Sequence, residues 1–396
     1  MKWIREIGPG ILIAAAFIGP GTVTLCTIAG VSYGFSLIWA LVLSIFATIF
    51  LQELSLRVGL VTKMNVAEVI SKSIKSIYLN KFLIVLIVSS ILIGNAAYEA
   101  GNITGASLGI SGIINYEAIN NIPLFIGIIA FVILYQGNYK IIERSLIILV
   151  LLMSLSFFLT AIITRPDISA LLAGIFTPKV NEKSILIVLG LIGTTVVPYN
   201  IFLHSSLVIE KWDSIKELKT ARIESFISIF LGGIVSLSII VTAASVNTQD
   251  VDSIIDLAKG LEPLYGKFAI YFLGIGLFAS GITSSITAPL AASYVAKSCF
   301  GWKGSMKSTK FRLVWILVLL FGVIVSMIDI NPIEIIKFAQ FSNSLLLPII
   351  TIILLWIVNN NRITGSQYSY NYQNIFGAII IIISIVLGAR GIISIF

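Results

Sequence analysis

Long runs of apolar residues recur from one end of the chain to the other, and they limit its fold more than any other feature of the sequence. A helix crosses the roughly 30 Å hydrocarbon core of a bilayer with about 20 apolar residues. Of the 396 residues, 58% are hydrophobic and only 11% are charged, which excludes an ordinary water-soluble domain. The sequence therefore predicts an all-α, multi-spanning membrane protein.

Turn signals and charged residues divide the apolar runs into about eleven predicted spans. These spans cover residues 9–33, 36–57, 82–110, 121–137, 142–164, 184–209, 226–247, 268–297, 312–329, 332–357 and 373–395. The first run follows Lys2 and Arg5 as in a signal peptide, but no small-residue cleavage site closes it, so we expect a retained first helix. We interpret residues 1–396 as one transmembrane domain.

Most basic residues lie in short loops between the spans. Segments 57–81 and 297–312 each hold five Lys or Arg residues and are expected in the cytoplasm. Segment 110–121 holds none, and 248–267 has four acidic against two basic residues, so both are expected outside. This places the N-terminus inside and the C-terminus outside, in the cytoplasmic (plasma) membrane of a prokaryote. Topology and anionic lipid headgroups account for the net charge of +8 without nucleic acid.

Two spans are interrupted near their middle, by GPGT at 19–22 and by GTTVVPYN at 193–200. Proline removes a backbone donor and clashes with the preceding turn, so each interruption frees polar backbone groups inside the membrane. The interruptions fall in the first helix of spans one to five and of spans six to ten. Such a pair indicates two inverted repeats, about 9–164 and 184–357, with an extra helix at about 373–395 and a substrate site between the broken helices. The alternative is a pair of proline kinks used only for packing.

Five segments carry a resemblance to a known family. They are GPGILIAAAFIGPGT (8–22), LQELSLRVGLVT (51–62), GTTVVPYNIFLHSS (193–206), GLFASGITSSITAPLA (276–291) and FAQFSNSLLLPI (338–349). In these segments and in their order and spacing, the chain resembles the natural resistance-associated macrophage protein (NRAMP) family of proton-coupled divalent metal transporters. The resemblance implies the leucine-transporter fold, two inverted five-helix repeats plus a trailing helix, and alternating access around a midplane site.

The chain departs from the family at the metal site. NRAMP metal transporters carry Asp-Pro-Gly-Asn in the first broken helix, where this chain has GPGT (19–22), and Met-Pro-His in the sixth, where it has VPY (197–199). Transition metals prefer imidazole, thioether and carboxylate ligands, and Mg²⁺ is normally held through carboxylates. Hydroxyls and carbonyls alone would leave much of a dehydrated dication's charge uncompensated. The classical manganese or iron site is therefore missing.

Three hypotheses for function follow. The N-terminal ends of the second half-helices, near Thr22 and Tyr199, attract anions, so a small inorganic anion such as bicarbonate is expected as an altered substrate. A Mg²⁺ or other divalent cation transporter that uses Glu99 is an alternative, in line with the family. A transport-inactive sensor or scaffold is the third.

The candidate substrate-binding residues lie at the two interruptions and at one glutamine that matches a family glutamine. They are Gly19, Gly21, Thr22, Thr194, Thr195, Val197, Tyr199, Asn200 and Gln340. The hydroxyl and amide groups among them could instead satisfy freed backbone groups. Cys26, one turn after Thr22, could lend a soft ligand but is more typical of packing.

The candidate coupling residues are Glu99, Asn102 and His204, with H⁺ or Na⁺ as the coupling ion and no cofactor. An ionisable residue inside a membrane is costly and indicates function, and the family has carboxylates at the places of Glu99 and Asn102. Asn95 shares their helical face, so these asparagines form either a polar pathway or contacts between helices. His204 matches a family histidine and is a candidate for proton coupling or for packing.

Other polar residues have simpler interpretations. Glu53 and Arg57 are expected to form an i,i+4 pair that extends to the membrane interface. Ser280, Ser284 and Ser285 are expected on a small-residue packing face. No nucleophile motif or phosphate-binding loop indicates an enzyme. The expected partners are a small inorganic ion and the lipid bilayer, with no nucleic acid and no obligatory protein partner.

Overall fold

The computed structural model describes residues 18–74, 76–114, 121–136, 140–246, 251–303, 305–328, 330–365 and 371–394. Over these residues the chain is helical and has no β-strand, which confirms the all-α prediction. The first half of the first predicted span, residues 9–17, lies outside the described residues.

The helices follow the predicted spans closely. In chain order they are α1 (Pro20–Tyr33), α2 (Ile38–Thr62), α3 (Val66–Ser73), α4 (Ile77–Ile114), α5 (Ile122–Gln136), α6 (Lys140–Ile163), α7 (Ile168–Phe176), α8 (Ile185–Thr195), α9 (Pro198–Lys211), α10 (Leu218–Ala244), α11 (Ile254–Lys259), α12 (Glu262–Tyr265), α13 (Ala269–Cys299), α14 (Thr309–Ser326), α15 (Pro332–Asn359), α16 (Asn361–Thr364) and α17 (Asn371–Ile393). The predicted spans correspond to α1, α2, α4, α5, α6, the α8–α9 pair, α10, α13, α14, α15 and α17.

Not all of these stretches satisfy the length of a complete span. Within the described residues, eight are long and apolar enough to cross a membrane. α1 and α5 have only 14 and 15 residues, and α6 meets α7 at a bend of 116°. The helix count therefore agrees roughly with the prediction of about eleven spans.

Prolines determine where the interrupted helices restart. α8 ends at Thr195 and α9 begins at Pro198, with Val196 and Val197 at non-helical ψ angles of 80° and 116° between them. A residue before proline is disfavoured in the helical region, and proline fits the first helical position, whose N–H needs no helical partner. α1 likewise begins at Pro20 after an extended Gly19. The predicted break in the sixth span is confirmed, and the described half of the first span starts where its break was predicted.

The interrupted sixth span lies in the middle of the molecule. In stretch 185–211, 94% of the most apolar window is buried, against 33% in α17. α1 packs on α10, whereas α8 and α9 pack on α2. On the other side, α4, α13 and α15 contact α1 and α9, and α15 also contacts α8. α4 and α13 approach each other at small residues, since a Cβ on Gly109 would lie 2.5 Å from the carbonyl oxygen of Gly274. Such close backbone approach is typical of membrane helix pairs.

Large apolar side chains cover the outer surface, as expected of a surface in contact with lipid tails. Phe46, Phe82, Ile93 and Phe376 are each more than half exposed. A polar solvent would make this surface unfavourable, whereas lipid does not. The exposed apolar surface therefore agrees with the membrane assignment.

A charged cluster joins α2 to α10. Glu53 and Arg57 form the expected i,i+4 pair, with 2.9 Å between Oε2 and Nη2. Arg57 is fully buried, so the expectation that this pair extends to the interface is wrong. Arg222 of α10 adds a second ion pair, 2.6 Å from Oε1 of Glu53. Buried charges are retained when they are paired, and this pairing holds the two helices together.

Candidate functional site

The two interrupted helices meet through a pair of hydroxyls. Oγ1 of Thr22, in the first turn of α1, lies 2.8 Å from Oγ1 of Thr194, near the end of α8, and both side chains are buried. Either hydroxyl can donate. The structure therefore brings together two of the predicted substrate-binding residues that are far apart in the sequence.

Gln340 of α15 packs against glycines of both interrupted helices. A Cβ on Gly21 would lie 2.2 Å from Nε2 of Gln340, and a Cβ on Gly193 would lie 1.8 Å from its carbonyl oxygen. At position 193 only glycine permits this approach, because the contact there involves backbone that cannot swing away. The Oε1 atom of Gln340 is buried without a hydrogen-bond partner. Gln340, named from the sequence as a candidate substrate-binding residue, thus lies against both interrupted helices.

Tyr199 and Asn200 occupy the first turn of α9. The ring of Tyr199 meets the ring of Tyr98 of α4 edge to face, with 5.6 Å between centroids. The Tyr199 hydroxyl is buried and interacts with that of Tyr98, whereas Oδ1 of Asn200 is buried without a hydrogen-bond partner. Sequence reasoning missed Tyr98, although a large aromatic residue beside Glu99 in the small-residue stretch NAAYEAGN was a usable signal.

Thr195 and Val197 contribute backbone geometry to the interruption. The Thr195 hydroxyl donates to the carbonyl of Leu191 at 2.8 Å, and the Thr195 carbonyl accepts from Oγ1 of Thr48 at 3.2 Å. The Val197 carbonyl accepts from the Asn200 N–H at 3.1 Å. The Thr195 carbonyl, which the interruption frees, is therefore satisfied by Thr48 of α2, while the Thr195 hydroxyl makes the i−4 bond usual for a helical threonine.

Glu99 is fully buried on α4. Its Oε2 accepts from Nδ2 of Asn102 at 3.2 Å, while Oε1 makes no hydrogen bond of ordinary geometry. Ser285 of α13 lies close enough to interact with the carboxyl. On α14, a Cβ at Gly322 would lie 2.5 Å from Cγ of Glu99. Two predicted coupling residues, Glu99 and Asn102, are therefore in direct contact.

The other two polar residues of this prediction make separate contacts. Asn95 donates to the carbonyl of Ala288 at 2.8 Å, so its amide joins α4 to α13 as the helix-contact interpretation expects. Nδ1 of His204 lies 2.8 Å from Oε1 of Gln52 on α2, and its Nε2 is buried without a partner. Because an amide oxygen accepts, Nδ1 is assigned as the protonated nitrogen. His204 thus hydrogen-bonds α2 and not the pair of Glu99 and Asn102.

The site offers few ligands for a metal. Over the part of the chain that the structure describes, no three His, Cys, Asp or Glu residues lie together in a group able to hold a metal ion. The N-terminal ends of α1 and α9, by contrast, carry partial positive charge. Thr22, Thr194, Tyr199 and Gln340 are all buried, so the site is closed in this conformation. A cavity of about 720 Å³ lies elsewhere, between α2, α10 and α17.

The chain matches the family model described as natural resistance-associated macrophage protein-like over residues 10–394. It is similar to the divalent metal cation transporter MntH of Caldanaerobacter subterraneus, with 27% identity over 96% of this chain and 90% of the relative. It is also similar to the divalent metal cation transporter MntH of Staphylococcus aureus, with 25% identity over 100% of this chain and 92% of the relative.

Solved structures show the same fold at lower identity. The manganese transporter of Eremococcus coleocola has a TM-score of 0.78 and 17% identity, over 98% of this chain and 85% of that chain. A nucleobase-cation-symport-1 family transporter has a TM-score of 0.61 and 16% identity, over 98% and 90%. The predicted leucine-transporter-like fold is thereby confirmed. Because the family model covers nearly the whole chain, the protein is a membrane transporter of the natural resistance-associated macrophage protein-like (Nramp) family.

Proposed function

We propose that this protein is a secondary transporter that moves a small inorganic anion, such as bicarbonate. The anion binds between α1 and the α8–α9 pair, and this site opens alternately to the two sides of the membrane. The observation that carries the proposal is the chemistry where these helices meet. Hydroxyls of Thr22 and Thr194 bridge the helices, and α1 contributes Gly19 where a metal transporter of the family has a carboxylate. Two helix N-termini remain and favour negative charge.

A dehydrated transition metal fits these groups poorly. Its charge would be balanced by neutral oxygens in a buried site, where an uncompensated charge is expensive. Soft and borderline metals also prefer thioether or imidazole ligands, and position 197 here is Val and position 199 is Tyr. An anion requires no such ligands, because hydroxyls, amides and helix N-termini bind it directly.

Glu99 explains why transport of the anion would be coupled to H⁺ or Na⁺. A carboxylate close to a bound anion repels it, so a proton or Na⁺ must neutralise Glu99 when the anion is bound. Transport of the anion is then linked to H⁺ or Na⁺ through Glu99 and its neighbour Asn102, which donates to Oε2 at 3.2 Å. His204, hydrogen-bonded to α2, is assigned to proton movement or to packing within that part of the molecule.

A divalent cation, with Mg²⁺ as the best case, is the second candidate. Two observations favour it: the relatives are named divalent metal cation transporters, and Glu99 places a carboxyl group in the buried interior. Mg²⁺ keeps several waters and needs only one or two carboxylates. A transport-inactive sensor or scaffold is the third candidate.

The cellular setting of the proposal follows from the loops. We assign the protein to the cytoplasmic membrane of a prokaryote, with the N-terminus inside and the C-terminus outside, because of its basic loops. The repeats are assigned to about 9–164 and 184–357. Bilayer lipid and the transported ion are its partners; the proposal includes no enzymatic activity, cofactor, nucleic acid or obligatory protein partner.

The test is uptake of radiolabelled bicarbonate into proteoliposomes at alkaline pH, where little CO₂ crosses the membrane passively. Imposed H⁺ and Na⁺ gradients are compared, with protein-free liposomes as the control. We expect saturable, gradient-dependent uptake. Saturable Mg²⁺ uptake without bicarbonate uptake would replace the proposal with the second candidate, and uptake of neither would favour the third.

A further inference from the structure

We propose that Tyr98 and Ser284, together with Tyr199, form a hydroxyl pocket that binds the substrate oxyanion opposite Gly19. This inference rests on the proposed function and adds two specificity-determining residues that lie outside the interrupted helices. A Cβ on Gly19 would lie 3.4 Å from Oγ of Ser284 and 3.8 Å from the hydroxyl of Tyr98. The position without a side chain on α1 is therefore bordered by hydroxyls from α4 and α13.

Ser284 differs from Ser280 and Thr283 on the same helix, α13. Serine and threonine in a helix usually donate to a carbonyl three or four residues back. Ser280 does so to Leu277 at 3.2 Å and Thr283 to Ala279 at 2.8 Å. Oγ of Ser284 is buried and has no hydrogen-bond partner. Its hydroxyl is thus available at the place where α13 approaches Gly19.

Tyr199 brings a third hydroxyl from α9. Its ring meets that of Tyr98 at an angle of 65°, and the two hydroxyls interact with each other. Leaving a buried hydroxyl unpaired costs about 1–3 kcal/mol. The unpaired hydroxyl of Ser284, beside the hydroxyls of Tyr98 and Tyr199, therefore indicates that a ligand completes the hydrogen bonding of this group.

The ligand class follows from charge and donor type. Each hydroxyl can donate, and the adjoining N-termini of α1 and α9 add partial positive charge. Charge-assisted hydrogen bonds to an anion are about twice as strong as neutral ones. A compact oxyanion accepts from several directions at once, so it matches three convergent hydroxyls better than a dication does.

The experiment measures stabilisation of the purified full-length protein against thermal unfolding, titrated with sodium bicarbonate and with sodium chloride at matched ionic strength. The variants are Tyr98→Phe and Ser284→Ala, each of which removes one oxygen. The matched controls are Tyr294→Phe, whose hydroxyl contacts Sδ of Met306, and Ser280→Ala on the same helix. We expect each test variant to raise the apparent Kd for bicarbonate about tenfold and the controls to leave it unchanged.

The outcomes separate the two proposals. If bicarbonate stabilises the wild type and both test variants equally, the hydroxyl pocket is overturned while anion transport stands. If bicarbonate stabilises nothing, or if only MgCl₂ or MnCl₂ stabilises the wild type, both proposals are overturned. The unfolding midpoint of each variant without ligand establishes that it is folded.

Discussion

The helices that surround the interrupted spans differ in whether their buried polar side chains are hydrogen-bonded. On α2, Thr48, Gln52 and Ser55 each hydrogen-bond α8 or α9: Thr48 to the Thr195 carbonyl, Gln52 to His204, and Ser55 to the Ile201 carbonyl. On α4, α13 and α15, by contrast, four buried polar residues each keep an atom without a hydrogen-bond partner. They are Thr104, Ser284, Gln340 and Asn343.

This difference separates contacts that stabilise the structure from contacts that are available for substrate binding. Buried polar atoms are normally hydrogen-bonded, so a satisfied contact stabilises one arrangement of two helices. Where polar groups are unpaired, fewer hydrogen bonds break when the helices separate, and donors and acceptors remain for a ligand. We expect α2 to move with α8 and α9 as one body, and the contact with α4, α13 and α15 to open during transport.

The largest expected effect comes from adding a carboxylate at the unsatisfied contact. Gly19→Asp has room for its Cβ at 3.4 Å from Ser284 and 3.8 Å from Tyr98. We expect the variant to bind Mn²⁺ about tenfold or more tightly than the wild type, since each tenfold step corresponds to only about 1.4 kcal/mol. Isothermal titration calorimetry measures this. Unchanged Mn²⁺ affinity in a folded variant would show that the carboxylate is not what this site lacks.

Loss of the buried carboxyl should have the next largest effect. We expect Glu99→Gln to reduce gradient-driven bicarbonate uptake about tenfold or more, because positioned proton-transfer groups typically contribute at least that much. The control is Glu68→Gln, on the partly exposed glutamate that pairs with Lys72 at 2.6 Å. Coupled uptake that survives in Glu99→Gln would remove Glu99 from the mechanism.

The close approach of α8 to α15 at Gly193 should be sensitive to the size of the residue at that position. In Gly193→Ala the new Cβ would lie 1.8 Å from the Gln340 carbonyl oxygen, and overpacking of this kind costs about 1–3 kcal/mol. We expect a lower midpoint of thermal unfolding. Gly260→Ala is the control, because its Cβ would lie 3.4 Å from Oγ1 of Thr242. Equal midpoints for both variants would contradict the packing of α8 on α15.

The smallest effect is expected where hydroxyls already pair. A double-mutant cycle of Thr22→Val and Thr194→Val should give a coupling energy of about 0.5–1.5 kcal/mol, the usual net value of one hydrogen bond. Thermal or chemical unfolding of the four proteins measures it. Additive effects within error would mean that this hydroxyl bridge does not help to hold α1 and α8 together.

The fold could be predicted because the length of an apolar run and the presence of a proline determine structure within a single helix, whatever that helix packs against. A run of 20 apolar residues has few alternatives in lipid, and Pro198 breaks its helix wherever that helix lies. Helix ends were less predictable. α10 begins at Leu218, whereas the predicted span begins at 226. The prediction started too late because the first turns of α10 are polar and contain Lys219, Arg222 and Glu224. Hydropathy cannot distinguish such turns from a loop.

The site could be predicted only in part. Residues at the interruptions were identified because proline marks their position, and Gln340 because it lies in a segment that resembles the family. Tyr98, Gln52 and Asn343 were missed, since their roles depend on which neighbouring helix each side chain meets. Ser284 was assigned to packing for the same reason, because sequence alone does not reveal which hydroxyls bond their own helix.

The most direct test of the central claim, a site rebuilt without a transition-metal ligand set, is Mn²⁺ entry into proteoliposomes that contain a metal-quenched dye. An ionophore added at the end defines the full signal, and size-exclusion chromatography establishes that the protein is folded. We predict no saturable Mn²⁺ entry above that of protein-free liposomes. Saturable entry by the wild type would contradict the claim and show that Glu99, Cys26 or backbone oxygens suffice to hold a transition metal here.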